Sequence, residues 1–212
     1  MLVRRTRDFD VSGRGDNPAW ACAERHALTR VGGQSALRAD VSLLHSDRGL
    51  YCRFSCEATR LYAPLQNDFA PLYQQDVVEI FLQPDAAFSV YLEYELSPLG
   101  AELPLMVVNR GRGFYGWLPF EYEGERRASR GATVLGGEAR DGATCVGWVA
   151  ECFLPFALWE GVLLAPPASG DVWRGNFFRI EHDSEDVSRF AYDSRCGEDF
   201  HRPEWFAPLA LE

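Results

Sequence analysis

Alternation of apolar and polar side chains with a period of two runs along most of this chain, and it restricts the possible folds more than any other feature. Successive side chains of an extended segment point to opposite faces. In "DVVEIFLQ" (76–83), Val78, Ile80 and Leu82 therefore share one face, and Val77, Glu79 and Phe81 the other. "SVYLEYELS" (89–97) divides in the same way, with Val90, Leu92, Tyr94 and Leu96 opposite Tyr91, Glu93 and Glu95. A short turn joins the two, which predicts a hairpin with one aliphatic face and one face of carboxylates and aromatics. Further strands are predicted over 36–46, 49–58, 105–110, 132–137, 143–154 and 173–182. Turn sequences such as "SDRG", "SPLG" and "RDGA" separate them.

Many short strands between turns predict an all-β chain, folded as a single antiparallel β-sandwich over residues 1–212. Residues 1–35 have weak periodicity and are expected to wrap the edge of the domain. At most one or two short helices are expected, the candidate being "LPFALWEGV" (154–162) with Pro155 in its first turn. A hydrophobic content of 47% excludes general disorder.

The formal net charge is −10, and all 21 basic residues are arginine. No basic face is visible, so nucleic acid is not an expected partner. No apolar run reaches the roughly 18 residues of a membrane span, so no membrane partner is expected either. The first residues carry charge and no apolar core, so a cytoplasmic location is expected, or a secreted one if a leader has been removed. Cys52 and Cys56 lie on one face of a strand, roughly 13 Å apart, beyond the ~7 Å reach of a disulfide. They are expected to be small buried hydrophobes, and the six cysteines to be free thiols.

Glu79 stands between two hydrophobes, and a partly buried carboxylate needs a partner. An arginine would satisfy it, and so would the hydroxyls of a sugar. Carboxylates beside aromatic rings suit sugars, whose C–H patches stack on rings while their hydroxyls bond charged groups. The same pattern is also expected of the solvated outer face of a sheet. Glu79 with Glu93 or Glu95 could serve a glycan hydrolase, although no serine-hydrolase elbow is present. In "WRGNFFRIEH" (173–182), Phe177, Arg179 and Glu181 share one face, and Asn176, Phe178 and Ile180 the other. Glu181, Asp183, Glu185 and Asp186, with His182, form an acidic cluster that could hold Ca²⁺ without matching an EF-hand. Met106, His26, His45, His182 or His201 could ligate haem, but no attachment motif accompanies them. No resident cofactor or metal is expected.

The order of four stretches resembles that of the family 9 carbohydrate-binding modules. They are "GLYCRFSCEA" (49–58); "LYQQDVVEIFLQPD" (72–85) with "YLEYELSPLG" (91–100); "GWVAECFLPF" (147–156) with "WRGNFFRIE" (173–181); and "FHRPEWFAPLAL" (200–211). The resemblance implies a β-sandwich that binds glycans without cleaving them. It implies that Glu79 bonds sugar hydroxyls while two rings, Tyr73 and Phe200, clamp the sugar. Sugar-binding members usually carry tryptophan at both ring positions. Glu93, Asn109, Arg110 and Arg179 are the polar partners that complete the expected site. An interaction sandwich without a live sugar site is the alternative.

Overall fold

The computed structural model describes residues 1–111, 113–160, 168, 170–183 and 186–212. Its strands, in chain order, are β1 (Leu2–Arg5), β2 (His26–Ala27), β3 (Thr29–Arg30), β4 (Ala39–His45) and β5 (Gly49–Glu57), then β6 (Val77–Gln83), β7 (Val90–Leu96), β8 (Glu102–Asn109) and β9 (Phe114–Trp117), and finally β10 (Ser129–Leu135), β11 (Gly147–Pro155), β12 (Val172–Asp183), β13 (Asp186–Ala191) and β14 (Ala207–Leu211). Only short 3₁₀ turns accompany them among the described residues. The expected helix is one of these, Phe156–Trp159, while residues 161 and 162 of the candidate lie outside the described residues.

Two sheets pack face to face. Sheet A has the order β14-β12-β6-β7-β8-β9, and sheet B the order β10-β11-β5-β4. β1 joins them: Leu2 and Val3 pair with β14, Arg4 and Arg5 with β4, both in parallel. The architecture is the expected all-β sandwich, with its two antiparallel layers joined through the parallel strand β1 into one curled mixed sheet. Within residues 1–35, β1 bridges the two layers. Its four residues are too short for a period-two signal.

The hairpin register agrees with the sequence reading. Val78 pairs with Leu96, Glu79 with Glu95 and Phe81 with Glu93. Val78, Ile80 and Leu82 enter the core between the sheets with Leu92, Tyr94 and Phe177 of sheet A and Val41, Phe54 and Trp148 of sheet B. Phe54 and Phe177 meet across the layers, with ring centroids 6.5 Å apart. Cys52 and Cys56 are buried in this core, and all six cysteines are free. Arg127 and Arg130 turn inward on Glu102, so they form no basic surface.

The outer face of each sheet is covered as well. On sheet B, Phe9 and Trp20 from the N-terminal segment pack on Leu44, Tyr51 and Phe153. Glu151 of β11 fixes that segment. Its carboxylate accepts from Trp20 Nε1 at 2.7 Å, the Gly13 amide at 2.8 Å and the Ser12 amide at 3.0 Å. Gly13 at φ 77° is a left-handed position, and a Cβ there would meet the β10 backbone at 2.5 Å. Removing a buried acceptor orphans its donors, at about 1–3 kcal/mol each. With three donors orphaned, Glu151→Ala should therefore lower unfolding stability by at least about 3 kcal/mol in urea titrations. Glu151→Gln, which keeps one acceptor oxygen, should lose less.

Candidate functional site

The outer face of sheet A is buried too, so Glu79 does not belong to a solvated surface. Glu79, Glu93 and Glu95 are 3%, 5% and 0% exposed. They sit at the margin of a second core, in which Val77, Phe81, Tyr91, Phe178 and Ile180 pack beneath Phe200 and Phe206 of the C-terminal segment. The 3₁₀ turn Leu72–Gln74 borders the same face just ahead of β6. There the buried Gln75 amide accepts from the Leu65 amide at 2.7 Å and donates to its carbonyl at 3.0 Å. Leu72 is buried by that anchoring, while Tyr73 stays 50% exposed.

Between these parts lies a cavity of about 430 Å³, lined among others by Tyr73, Glu79, Glu93 and Phe200. Its volume is within the usual range for small-ligand pockets, about 300–1,000 Å³. The structure thus brings four of the expected site residues together. Phe200 is 7% exposed and stacks on Phe178 at 4.0 Å and 12°, which commits one ring face to the second core. Phe114 of β9, 53% exposed, stands at the same cavity and stacks on His201 at 3.6 Å.

The other expected partners sit elsewhere. Arg179 pairs with Val78 of β6, on the face opposite Glu79, and is 1% exposed. Its guanidinium donates to the Glu57 carbonyl at 2.5 Å and the Arg38 carbonyl at 3.3 Å, and pairs with Glu181 at 3.0 Å. It binds one sheet to the other and does not reach the cavity. Alternation had put Arg179 and Phe178 on different faces, and Phe178 lies beside Glu79. Asn109 donates to the His201 carbonyl at 2.8 Å and lines an adjoining cavity of about 620 Å³ that shares Phe114, Asp199 and His201 with the first. Arg110 lies exposed just past the end of β8.

Arg189 of β13 takes the place expected of Arg179. It pairs with Ile180 on the Glu79 side of β12 and lines the cavity. Among the described residues no arginine makes an ion pair with Glu79, which feels Arg189 only through its field. β13 follows β12 too closely for its alternation to stand out in the sequence. His201, considered in the sequence only as a haem ligand, lines the cavity as well. Its Nδ1 is 2.7 Å from the Tyr91 hydroxyl, and its Nε2 is 3.9 Å from Glu93 Oε2.

Met106 lies in the core between the sheets, and His45 Nε2 bonds the Glu212 carbonyl at 2.9 Å. Of the acidic cluster on β12 and β13, Glu181 is taken by Arg179, and Glu185 lies outside the described residues. Among the described residues no group of three His, Cys, Asp or Glu is arranged to hold a metal ion. None of their helices is long and apolar enough to cross a membrane.

Burial raises the pKa of the whole carboxyl cluster. Glu79 is pushed well up by desolvation and then by the charge of Glu93. Glu95 is raised by desolvation and by both neighbours. Glu93 is raised to about 7, also by desolvation. His201 is lowered to about 4 by burial, so its ring is neutral at pH 7.

Comparison with solved structures settles the architecture. The whole chain superposes on 98% of a Bacteroides uniformis protein proposed to bind carbohydrate, with a TM-score of 0.80 and 16% identity. It also superposes on 95% of a family 9 carbohydrate-binding module from Caldicellulosiruptor kristjanssonii in complex with glucose, with a TM-score of 0.71 and 18% identity. The fold is that of the family 9 carbohydrate-binding modules. The cellotriose complex of a family 9 module from the same organism gives a TM-score of 0.66 at 18% identity, over 100% of this chain and 94% of the module. Among curated proteins, the mouse UPF0462 protein C4orf33 homolog is 29% identical over 169 residues, 70% of this chain and 73% of that protein. No family model matches the chain. On this module fold, Glu79 occupies the outward face of a strand that directly follows an exposed ring.

The raised carboxyls set a pH dependence. A carboxyl whose pKa is higher in the folded protein binds more protons there, so its contribution to stability falls as pH rises through the folded pKa. For Glu93 that window runs from about 4.5 to about 7. His201 has the opposite slope, losing stability as pH falls from 6.5 to about 4. The two partly cancel, so a difference measurement isolates the first. Glu93→Gln should be more stable than the parent at pH 8 and no more stable at pH 4, measured by denaturant titration at each pH.

Proposed function

We propose that this protein binds carbohydrate in the cavity between Tyr73 and the C-terminal segment, and does so without cleaving it. The observation that carries this reading is the position of Glu79. It is a buried carboxyl group without a cation in contact among the described residues, and it opens onto a cavity beside an exposed aromatic ring. Such a carboxylate accepts from sugar hydroxyls, and the ring offers a face to sugar C–H groups. Tyr73 and Phe114 are the exposed rings at the cavity, and Phe200 forms its apolar wall. The solved modules of the same fold are complexes with glucose and cellotriose, which adds support.

Binding fits better than hydrolysis by the glutamates of the hairpin, because Glu79, Glu93 and Glu95 stand together on one wall. Glycoside hydrolysis needs two carboxyl groups flanking the scissile bond, one of them ionised while the other is protonated. Here burial raises all three together.

Glucose, cello-oligosaccharides and a broad glycan array, read by calorimetry and array fluorescence, provide the test. Tyr73→Ala should weaken binding about ten-fold, or about 1.4 kcal/mol, and leave the melting temperature close to that of the parent because the ring is half exposed. Glu79→Gln should weaken it at least as much. Absence of binding to every glycan, or binding indifferent to both substitutions, would overturn the reading.

A further inference from the structure

The two outer sheet faces each bury carboxylates, and they treat them differently. On sheet B, Glu151 is surrounded by donors from its own chain: an indole, two amides and a hydroxyl. On sheet A, Glu93 Oε2 is buried and has no hydrogen-bond partner among the described residues, although it borders an open cavity. The carboxyl of Glu95 lies against it, and Glu79 stands diagonally across the strand pair. Glu198 and Asp199 add two more acidic side chains to the cavity lining, and Arg189 is the arginine among the described lining residues. The cavity has more acceptors than a neutral sugar would require and few donors to match them.

We propose that the sugar taken by this cavity carries a primary ammonium group, as in a terminal 2-amino-2-deoxy sugar, with its nitrogen directed at Glu93. The inference rests on the carbohydrate reading of the site and specifies its ligand class. An ammonium group has three donors and no acceptor, which is the complement of this carboxyl cluster. N-acetylation removes that charge and adds bulk, so the acetylated sugar is a poorer fit.

The groups around Glu93 are Glu95 on its own strand, Glu79 on β6, Arg189 on β13, the Tyr91 phenol, and Glu198, Asp199 and His201 of the C-terminal segment. His201 is neutral above its pKa of about 4, so it does not supply the missing charge. Without ligand, Glu93, raised to about 7, is mostly protonated at pH 6.5. An arriving ammonium ion favours the ionised form, and the displaced proton passes to the buffer while the amine keeps its own. A neutral sugar causes no such release.

Calorimetric titration with methyl glucosaminide, methyl glucoside and methyl N-acetylglucosaminide tests this. It is run at pH 6.5 in two buffers of different ionisation heat, on the parent and on Glu93→Gln. The glucosaminide should bind at least ten-fold more tightly than the other two, with proton release seen only for it. Glu93→Gln should reduce that preference to less than three-fold. If that variant does not melt cooperatively, the parent's preference and proton release decide. Equal affinity for glucoside and glucosaminide, or a preference untouched by Glu93→Gln in a folded variant, overturns the amine inference and leaves carbohydrate binding standing. If none of the three binds, and neither do cello- or chitosan oligomers, the carbohydrate reading fails and the inference with it.

Discussion

β6 and β7 are buried on both faces, and most of what distinguishes this molecule depends on that. A strand with one wet face can place charge there at little cost. Here the inner face fills the core between the sheets, and the outer face lies under Phe200 and Phe206. Any carboxylate on the outer face must then be protonated, paired or met by a ligand. Burial is therefore what turns Glu79, Glu93 and Glu95 from surface decoration into a chemically demanding wall. The cover that imposes it comes from the C-terminal segment, so the site exists only when that segment is in place.

The contrast between the sheets sharpens this point. Glu151 lies on an equally covered face, yet its demands are met internally, and it serves to tie down the N-terminal segment. The same device, a carboxyl group inside a covered sheet face, is structural in one layer and borders an open cavity in the other. What separates the two cases is the supply of donors, not the degree of burial.

Much of this was legible in the sequence. Alternation in "DVVEIFLQ" and "SVYLEYELS" gave the faces of the central hairpin, and the observed register keeps them. Tyr73 and Phe200 came from the family resemblance, and both line one cavity. The choice of arginine was not legible. Arg179 lay in a strongly patterned strand and drew attention, whereas Arg189 sits on the short return strand β13, where few residues are available to show a period. Alternation on β12 did separate Arg179 from Phe178. However, only the pairing of Phe178 with Glu79 shows which of those faces the cavity shares. β1 escaped for a similar reason, since a strand of four residues in parallel pairing has no hairpin partner nearby in sequence. The covered state of the outer face was also beyond the sequence, because alternation with charge reads identically on wet and dry sheets.

The junction made by β1 has a consequence for how the chain acquires its structure. Leu2 and Val3 pair with Ala210 and Leu211, and the Met1 amino group donates to the Pro208 carbonyl at 2.9 Å. Contacts this distant in sequence close late, because the entropy of the intervening loop must be overcome first. On a ribosome, β4 can pair with β5 and β10 with β11 as local hairpins, but β1 can engage only one of its two neighbours until residues 207–211 emerge. The nascent protein would therefore carry a half-paired first strand until then. That exposed edge is where a chaperone or a second nascent chain would compete with the native partner.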